Sequence, residues 1–401
     1  MGKSTTYNTS WYFIVLIIGL CVCGGILPEY KIATFIFYAL TLILSMICVA
    51  HSEQSLGKKR QFLYWLGFFI FGFPMAFHTP GMSLDDSSYI AMFEYANMYS
   101  VDEISKYFET SGVEKGYLLL TWVSNALFNN DYELFQVFRT YLTFALWGYA
   151  IRLFTKNAGG GDLMALFIWS HSYFFVLNSG LIRIFLAMPL VLIAMYYVWK
   201  NKWKGFVVSL ILASMIHVSS LIMLIYVPFF VKPHLLYKHW IVFVISAIFI
   251  VGFNLVLMAQ YIVPLLGSRY EGYGDVDELN ISVEMFMTLP ILVAAFYIYK
   301  RTSFTTELGK RKFIVGLTLT SLSIVFSIAV SMVHVGRITF YSYMGFMILT
   351  PLIIRKQTQD AVESTLKILW MIYPLVYVMG TNMLNASKTQ LFPYQTFLNI
   401  Y

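Results

Sequence analysis

The chain has 401 residues, of which 59% are hydrophobic and 12% charged, with a formal net charge of +7. Soluble domains carry about 25% charged residues; here the deficit extends along most of the sequence, which excludes a soluble domain of ordinary size and leaves one integral membrane unit over residues 1–401. The basic excess does not point to nucleic acid, because the Lys and Arg residues fall in short loops between apolar runs, where membrane orientation accounts for them.

Taken in chain order, the runs long enough to span a bilayer are 11–27, 31–51, 62–78, 134–155, 163–178, 181–200, 240–263, 283–300, 313–334, 337–354 and 366–380. A transmembrane helix needs about 20 mostly apolar residues, so the expectation is an all-α polytopic protein of about 11 spans. The first run lacks a basic leader and a small-residue cleavage site, and reads as a retained helix. Cys21, Cys23 and Cys48 all lie inside apolar runs and read as packing residues, with no metal-ligand spacing.

Basic clusters set the orientation. Lys58-Lys59-Arg60, Arg152 with Lys156, Lys200-Lys202-Lys204, Lys310-Arg311-Lys312 and Arg355-Lys356 are placed in the cytoplasm. The acid-rich stretches 79–133 and 264–283 then become periplasmic loops. One apolar stretch, 206–231, cannot span once without reversing every later loop. It is therefore read as a short helical hairpin turning near His217-Val218-Ser219-Ser220. The segment 116–128 is too short to span between two outer flanks and reads as a surface helix, with Leu118, Leu119, Trp122 and Leu127 expected on one apolar face.

This topology brings polar residues from separate segments to one face. Asp85 and Asp86 follow the third run, Glu114 precedes the surface helix, and Arg139 and Arg183 sit at outer helix ends. His217 lies at the hairpin tip, and His334 and Arg337 flank a later outer turn. Arginines presented from different helices can chelate a pyrophosphate through forked, charge-assisted bonds. A nearby carboxylate can act as general base toward a sugar hydroxyl. Tyr89, Tyr117 and Tyr341 can stack on sugar rings or hydrogen-bond to them. Each residue also has a plainer reading: an arginine at a helix end can simply reach the headgroups, and Asp-x-Ser is a normal helix start. The convergence carries more weight than any one residue. No phosphate-cradling GxxxxGK loop and no HExxH zinc motif occurs.

The strings Ser83-Leu84-Asp85-Asp86-Ser87-Ser88-Tyr89-Ile90 and Glu114-Lys115-Gly116-Tyr117 resemble the EpsG family. So do Ile182-Arg183-Ile184-Phe185-Leu186-Ala187, Met215-Ile216-His217-Val218-Ser219-Ser220, Gly336-Arg337 with Tyr341, and Phe392-Pro393-Tyr394. That family is similar to the Wzy-type polymerases of bacterial exopolysaccharide, capsule and O-antigen. The acidic first large loop with its surface helix is similar to the GT-C glycosyltransferases. The resemblance implies a GT-C-like architecture in the bacterial inner membrane with its active face on the periplasmic side. It also implies a polymerase that transfers an undecaprenyl-pyrophosphate-linked glycan to the next lipid-linked repeat unit. Asp85 or Asp86 then matches the acidic position, with Glu114 as the next candidate, and Arg183, His217 and Arg337 match the basic positions. Expected partners are undecaprenyl-pyrophosphate-linked oligosaccharides, the bilayer, and a chain-length regulator or flippase of the same pathway, with no nucleic acid. No cofactor is required; a divalent ion bridging Asp85, Asp86 and pyrophosphate is compatible with the sequence but not demanded by it. The competing readings are a flippase for lipid-linked oligosaccharide and an O-acetyltransferase of the same pathway.

Overall fold

The computed structural model describes residues 29–82, 86–100, 113–155 and 181–232, together with scattered positions between 103 and 108 and beyond 293, among them 341, 361–369, 396 and 398. Within these residues the protein is helical: α1 (Glu29–Gln54), α2 (Gly57–Ala76), α3 (Asp86–Ala96), α4 (Lys115–Leu127), α5 (Tyr132–Thr155), α6 (Ile182–Trp199), α7 (Trp203–Ile216), a 3-10 turn (Val218–Ile222) and α8 (Met223–Val231). Among the described residues β pairing is confined to one antiparallel bridge between His78 and Thr396.

Ile32–Gln54 and Ile182–Trp199 are each long and apolar enough to cross a membrane. α2 and α5 are as long as membrane helices but carry more polar residues, and α5 shows where these go. Gln136, Arg139, Thr140 and Thr143 recur at i, i+3, i+4 and i+7 and are all buried, while Leu134, Phe138 and Tyr149 face outward. α4 has the same inverted polarity: it turns Tyr117, Leu118, Thr121, Ser124 and Asn125 inward and exposes Leu119, Val123 and Leu127. Helices with polar groups turned inward and apolar groups outward suit a lipid surrounding, not water. They agree with a membrane location. The four α4 residues expected on one apolar face divide, however. Leu118 is fully buried and the Trp122 indole donates to Tyr99 O, whereas Leu119 and Leu127 point outward.

α6 is the central element, buried on nearly every side from Ile184 to Met195. α5 packs on it through Trp147, whose indole N–H donates to Phe185 O at 3.1 Å. α5 also holds α2, where the Tyr64 hydroxyl donates to Gly148 O at 2.6 Å. α1 crosses α2 closely: a Cβ on Gly67 would lie 2.9 Å from Ser45 O. The apolar stretch expected to bend near His217 does break there. α7 ends at Ile216, His217 is extended (φ −154°, ψ 118°), and the 3-10 turn follows. Both α7 and α8 pack on α6.

The start of α4 meets the end of α7 without a side chain between them. A Cβ at Gly116 would fall 2.6 Å from the Met215 carbonyl oxygen and 2.5 Å from Met215 Cβ. Backbone cannot swing aside as a side-chain tip can, so Gly116→Ala should separate α4 from α7. The expected cost is about 1–3 kcal/mol, as for other overpacked contacts, read as a lower unfolding temperature of the purified protein. Gly67→Ala is the internal comparison, since it strains only the α1–α2 crossing.

Candidate functional site

The break at His217 creates the site's local chemistry. A helix start leaves backbone N–H groups without intrahelical partners, and here they are claimed by side chains. The Val218 N–H donates to Glu114 Oε1 at 3.1 Å. The Ser219 N–H donates to His217 Nδ1 at 3.2 Å, with Ser219 Oγ 2.7 Å from the same nitrogen. A backbone N–H can only donate, so Nδ1 is an acceptor and the proton of the neutral imidazole sits on Nε2. Ser219 Oγ also lies 3.1 Å from the buried Tyr341 hydroxyl, which ties the turn to a position more than a hundred residues away.

Arg183, at the second residue of α6, completes the cluster. Its Nη1 donates to Glu114 Oε2 in an ion pair, and its Nε donates to the Tyr89 hydroxyl at 3.4 Å. The pair is part-exposed, at 16% for Arg183 and 17% for Glu114, so a solute can reach it. Nη2 is left for another acceptor. Burial alone would raise the Glu114 carboxyl, but the Arg183 guanidinium and the Val218 N–H outweigh it and hold the group below the usual carboxylate range. His217 Nδ1 is 3.9 Å from Glu114 Oε1, an electrostatic contact and not a hydrogen bond. Beneath the cluster lies an apolar floor of Tyr89, Tyr117, Ile182 and Leu186.

Behind Tyr89 lies a second cation. Arg139 is only 3% exposed, and its guanidinium sits 5.9 Å from the Tyr89 ring centroid and 5.5 Å from that of Phe135. Its Nη1 and the Tyr117 and Tyr132 hydroxyls are buried close together without a formed hydrogen bond. Burial pushes the Tyr117 phenol well up, so it stays a neutral donor at any physiological pH. Arg139 therefore does not reach out to headgroups from its helix end. It stands as fixed positive charge behind the Glu114–Arg183 pair.

Asp86 is placed differently. It is fully buried at the first turn of α3, and its Oδ2 accepts from the Gly81 N–H at 3.2 Å and meets His78 Nε2 at 3.0 Å. His78 Nδ1 lies 2.8 Å from Met75 O, so the imidazole bridges that carbonyl and Asp86. Of the side chains expected at the site, Glu114, His217, Arg183, Tyr89 and Tyr341 come together, with Tyr117 and Arg139 behind them. Asp86 belongs to a separate buried hub, and Asp85 and Arg337 lie outside the described residues. Sequence reasoning missed Ser219 and Gly116, although both stand inside strings singled out above. It also missed His78 and Gln136, which only tertiary contact reveals. Among the described residues no three His, Cys, Asp or Glu side chains gather as a metal ion would need.

A helical membrane protein with an anion-ready arginine and an ionised carboxylate at one helix end is the class these features define. The chain belongs to the EpsG family, whose model matches residues 61–396. The family is associated with polysaccharide polymerase-like proteins, and the match marks this chain as an exopolysaccharide-related membrane protein. No curated protein and no solved structure matches the chain.

Proposed function

We propose that this protein is a polysaccharide repeat-unit polymerase of about 11 spans, GT-C-like, working on the periplasmic face of the inner membrane. The donor is a glycan on undecaprenyl pyrophosphate and the acceptor a hydroxyl of the next lipid-linked repeat unit. The observation that carries this reading is the Glu114–Arg183–Tyr89 cluster, drawn from three separate helical segments and still open to a solute.

Arg183 offers Nη2 to a phosphate oxygen while Tyr89 fixes its plane, and Arg139 adds positive potential from behind. Phosphate binding competes with Glu114 for the guanidinium. The phosphate on Nη2 offsets part of the positive charge that depresses the carboxylate's proton affinity, which makes Glu114 a better base where the acceptor hydroxyl arrives. The acceptor oxygen attacks the anomeric carbon, its proton passes to Glu114, and the carbon–oxygen bond to the pyrophosphate breaks. The electron pair leaves with undecaprenyl pyrophosphate, whose charge the arginines stabilise. No nucleotide sugar and no metal is called on. His217 holds the turn that presents the Val218 N–H to Glu114, and Arg337 and Asp85 are assigned to the same face.

Deleting the gene tests the reading against its main rival. Loss of a polymerase leaves single lipid-linked repeat units on the outer leaflet. Accumulation of those units on the inner leaflet would instead identify a flippase and overturn the proposal.

A further inference from the structure

The end of α2 is capped in an unusual way. Four successive carbonyls, which a helix end normally leaves to water, each receive a side-chain bond. Met75 O takes the His78 imidazole at 2.8 Å. Ala76 O and His78 O both take the Gln136 amide, at 3.2 and 2.7 Å. Phe77 O takes the Thr396 hydroxyl at 2.6 Å. Thr396 also forms the backbone bridge with His78, and its own Oγ1 accepts from the Leu398 N–H at 3.1 Å. His78, Asp86 and Gln136 are all buried. None of these groups has a part in the chemistry proposed above.

The geometry points to a clasp: Thr396 closes on the end of α2 and, through His78 and Asp86, sets the position of Tyr89 and Arg183. The contacts form an unbroken series. Thr396 fixes Phe77 and His78; His78 Nε2 holds Asp86 Oδ2 at 3.0 Å; Asp86 opens α3. Tyr89 is one helical turn further on and bonds Arg183 Nε, whose Nη1 holds Glu114. Asp86 also takes the Gly81 N–H, which ties the connection between α2 and α3 into the same hub. Thr396, His78, Asp86 and Gln136 are thus positioning residues that touch no reacting atom. Buried polar networks of this kind specify one arrangement because each member leaves a partner unsatisfied when removed.

The role in polymerisation rests on the proposed function, whereas the clasp itself does not, so the test has two arms. Hydrogen exchange is measured on the full chain in lipid nanodiscs for wild type, Thr396→Val and Thr396→Ser. Valine keeps the shape and loses the hydroxyl; serine keeps the hydroxyl. The amides of residues 86–96 should exchange roughly 2–10-fold faster in the valine variant, the effect of one net hydrogen bond, and at the wild-type rate in the serine variant. In cells, Thr396→Val should lower polymer by a similar factor at unchanged protein level, with serine restoring it. Combined with Tyr89→Phe, the valine change should add little, because both act through the same hydroxyl. Unchanged exchange overturns the clasp. Faster exchange with normal polymer, or full additivity with Tyr89→Phe, overturns its positioning role. If the wild type itself makes no polymer, the polymerase reading fails and the exchange arm alone decides the clasp.

Discussion

Glu114→Gln should remove long polymer while leaving protein level and lipid-linked repeat units intact. The amide keeps the length and one acceptor oxygen, so the bond from the Val218 N–H at 3.1 Å can persist. What is lost is the negative charge and the capacity to take a proton. A general base typically contributes about 10²–10⁴-fold, enough to clear long chains from a gel. Glu114→Asp retains both properties but withdraws the carboxylate by one methylene, and should give short chains in reduced amount. Normal polymer from the Gln variant would end the assignment of Glu114 as base and leave Asp85 as the carboxylate to test.

The same pairing makes a pH statement. Because the folded protein holds the Glu114 carboxyl below its ordinary value, the pair stabilises the fold above the usual carboxylate range. That contribution is lost as pH falls through the depressed value. Wild type should therefore lose more thermal stability on acidification than Glu114→Gln does, and equal slopes would show that the pair contributes nothing to the fold.

How much of this was legible in the sequence depends on whether the cause is local or tertiary. Helix bounds follow hydropathy closely: runs expected over 134–155 and 181–200 are observed as Tyr132–Thr155 and Ile182–Trp199. The break near His217 was legible because charge bookkeeping demanded it. Glu114, Arg183 and His217 were legible as polar residues at helix ends, but their pairing was not, since 69 residues separate the two ionic partners. The face of α4 was misjudged because helical periodicity finds an apolar stripe without saying whether it meets protein or lipid. Leu118 and Leu119 are neighbours in the sequence and end on opposite sides of that distinction. Asp85 and Asp86 looked equivalent as an acidic pair. The structure gives Asp86 its buried place through the Gly81 N–H and through His78, an apolar-run boundary residue with no motif of its own.

Arg183→Lys separates an anchoring arginine from a phosphate-binding one. An anchor needs a charge on a flexible stem, and lysine supplies it. The observed guanidinium does more: Nε bonds Tyr89, Nη1 bonds Glu114, and Nη2 is left in plane for a third acceptor. Lysine can keep the Glu114 contact as a point charge but cannot hold Tyr89 and a phosphate in the same plane. Losing one charge-assisted bond removes about 1.5–3 kcal/mol, so polymer should fall roughly 10–100-fold at normal protein level. Tyr89→Phe removes only the Nε partner and should give a smaller loss in the same direction. Arg152 provides the control. It lies in the last turn of α5, with its guanidinium 4.4 Å from the Tyr64 ring centroid, away from the cluster. Arg152→Lys should leave polymer unchanged. If Arg183→Lys behaves as Arg152→Lys does, Arg183 is an anchor after all, and Arg337 becomes the arginine to test for holding the pyrophosphate.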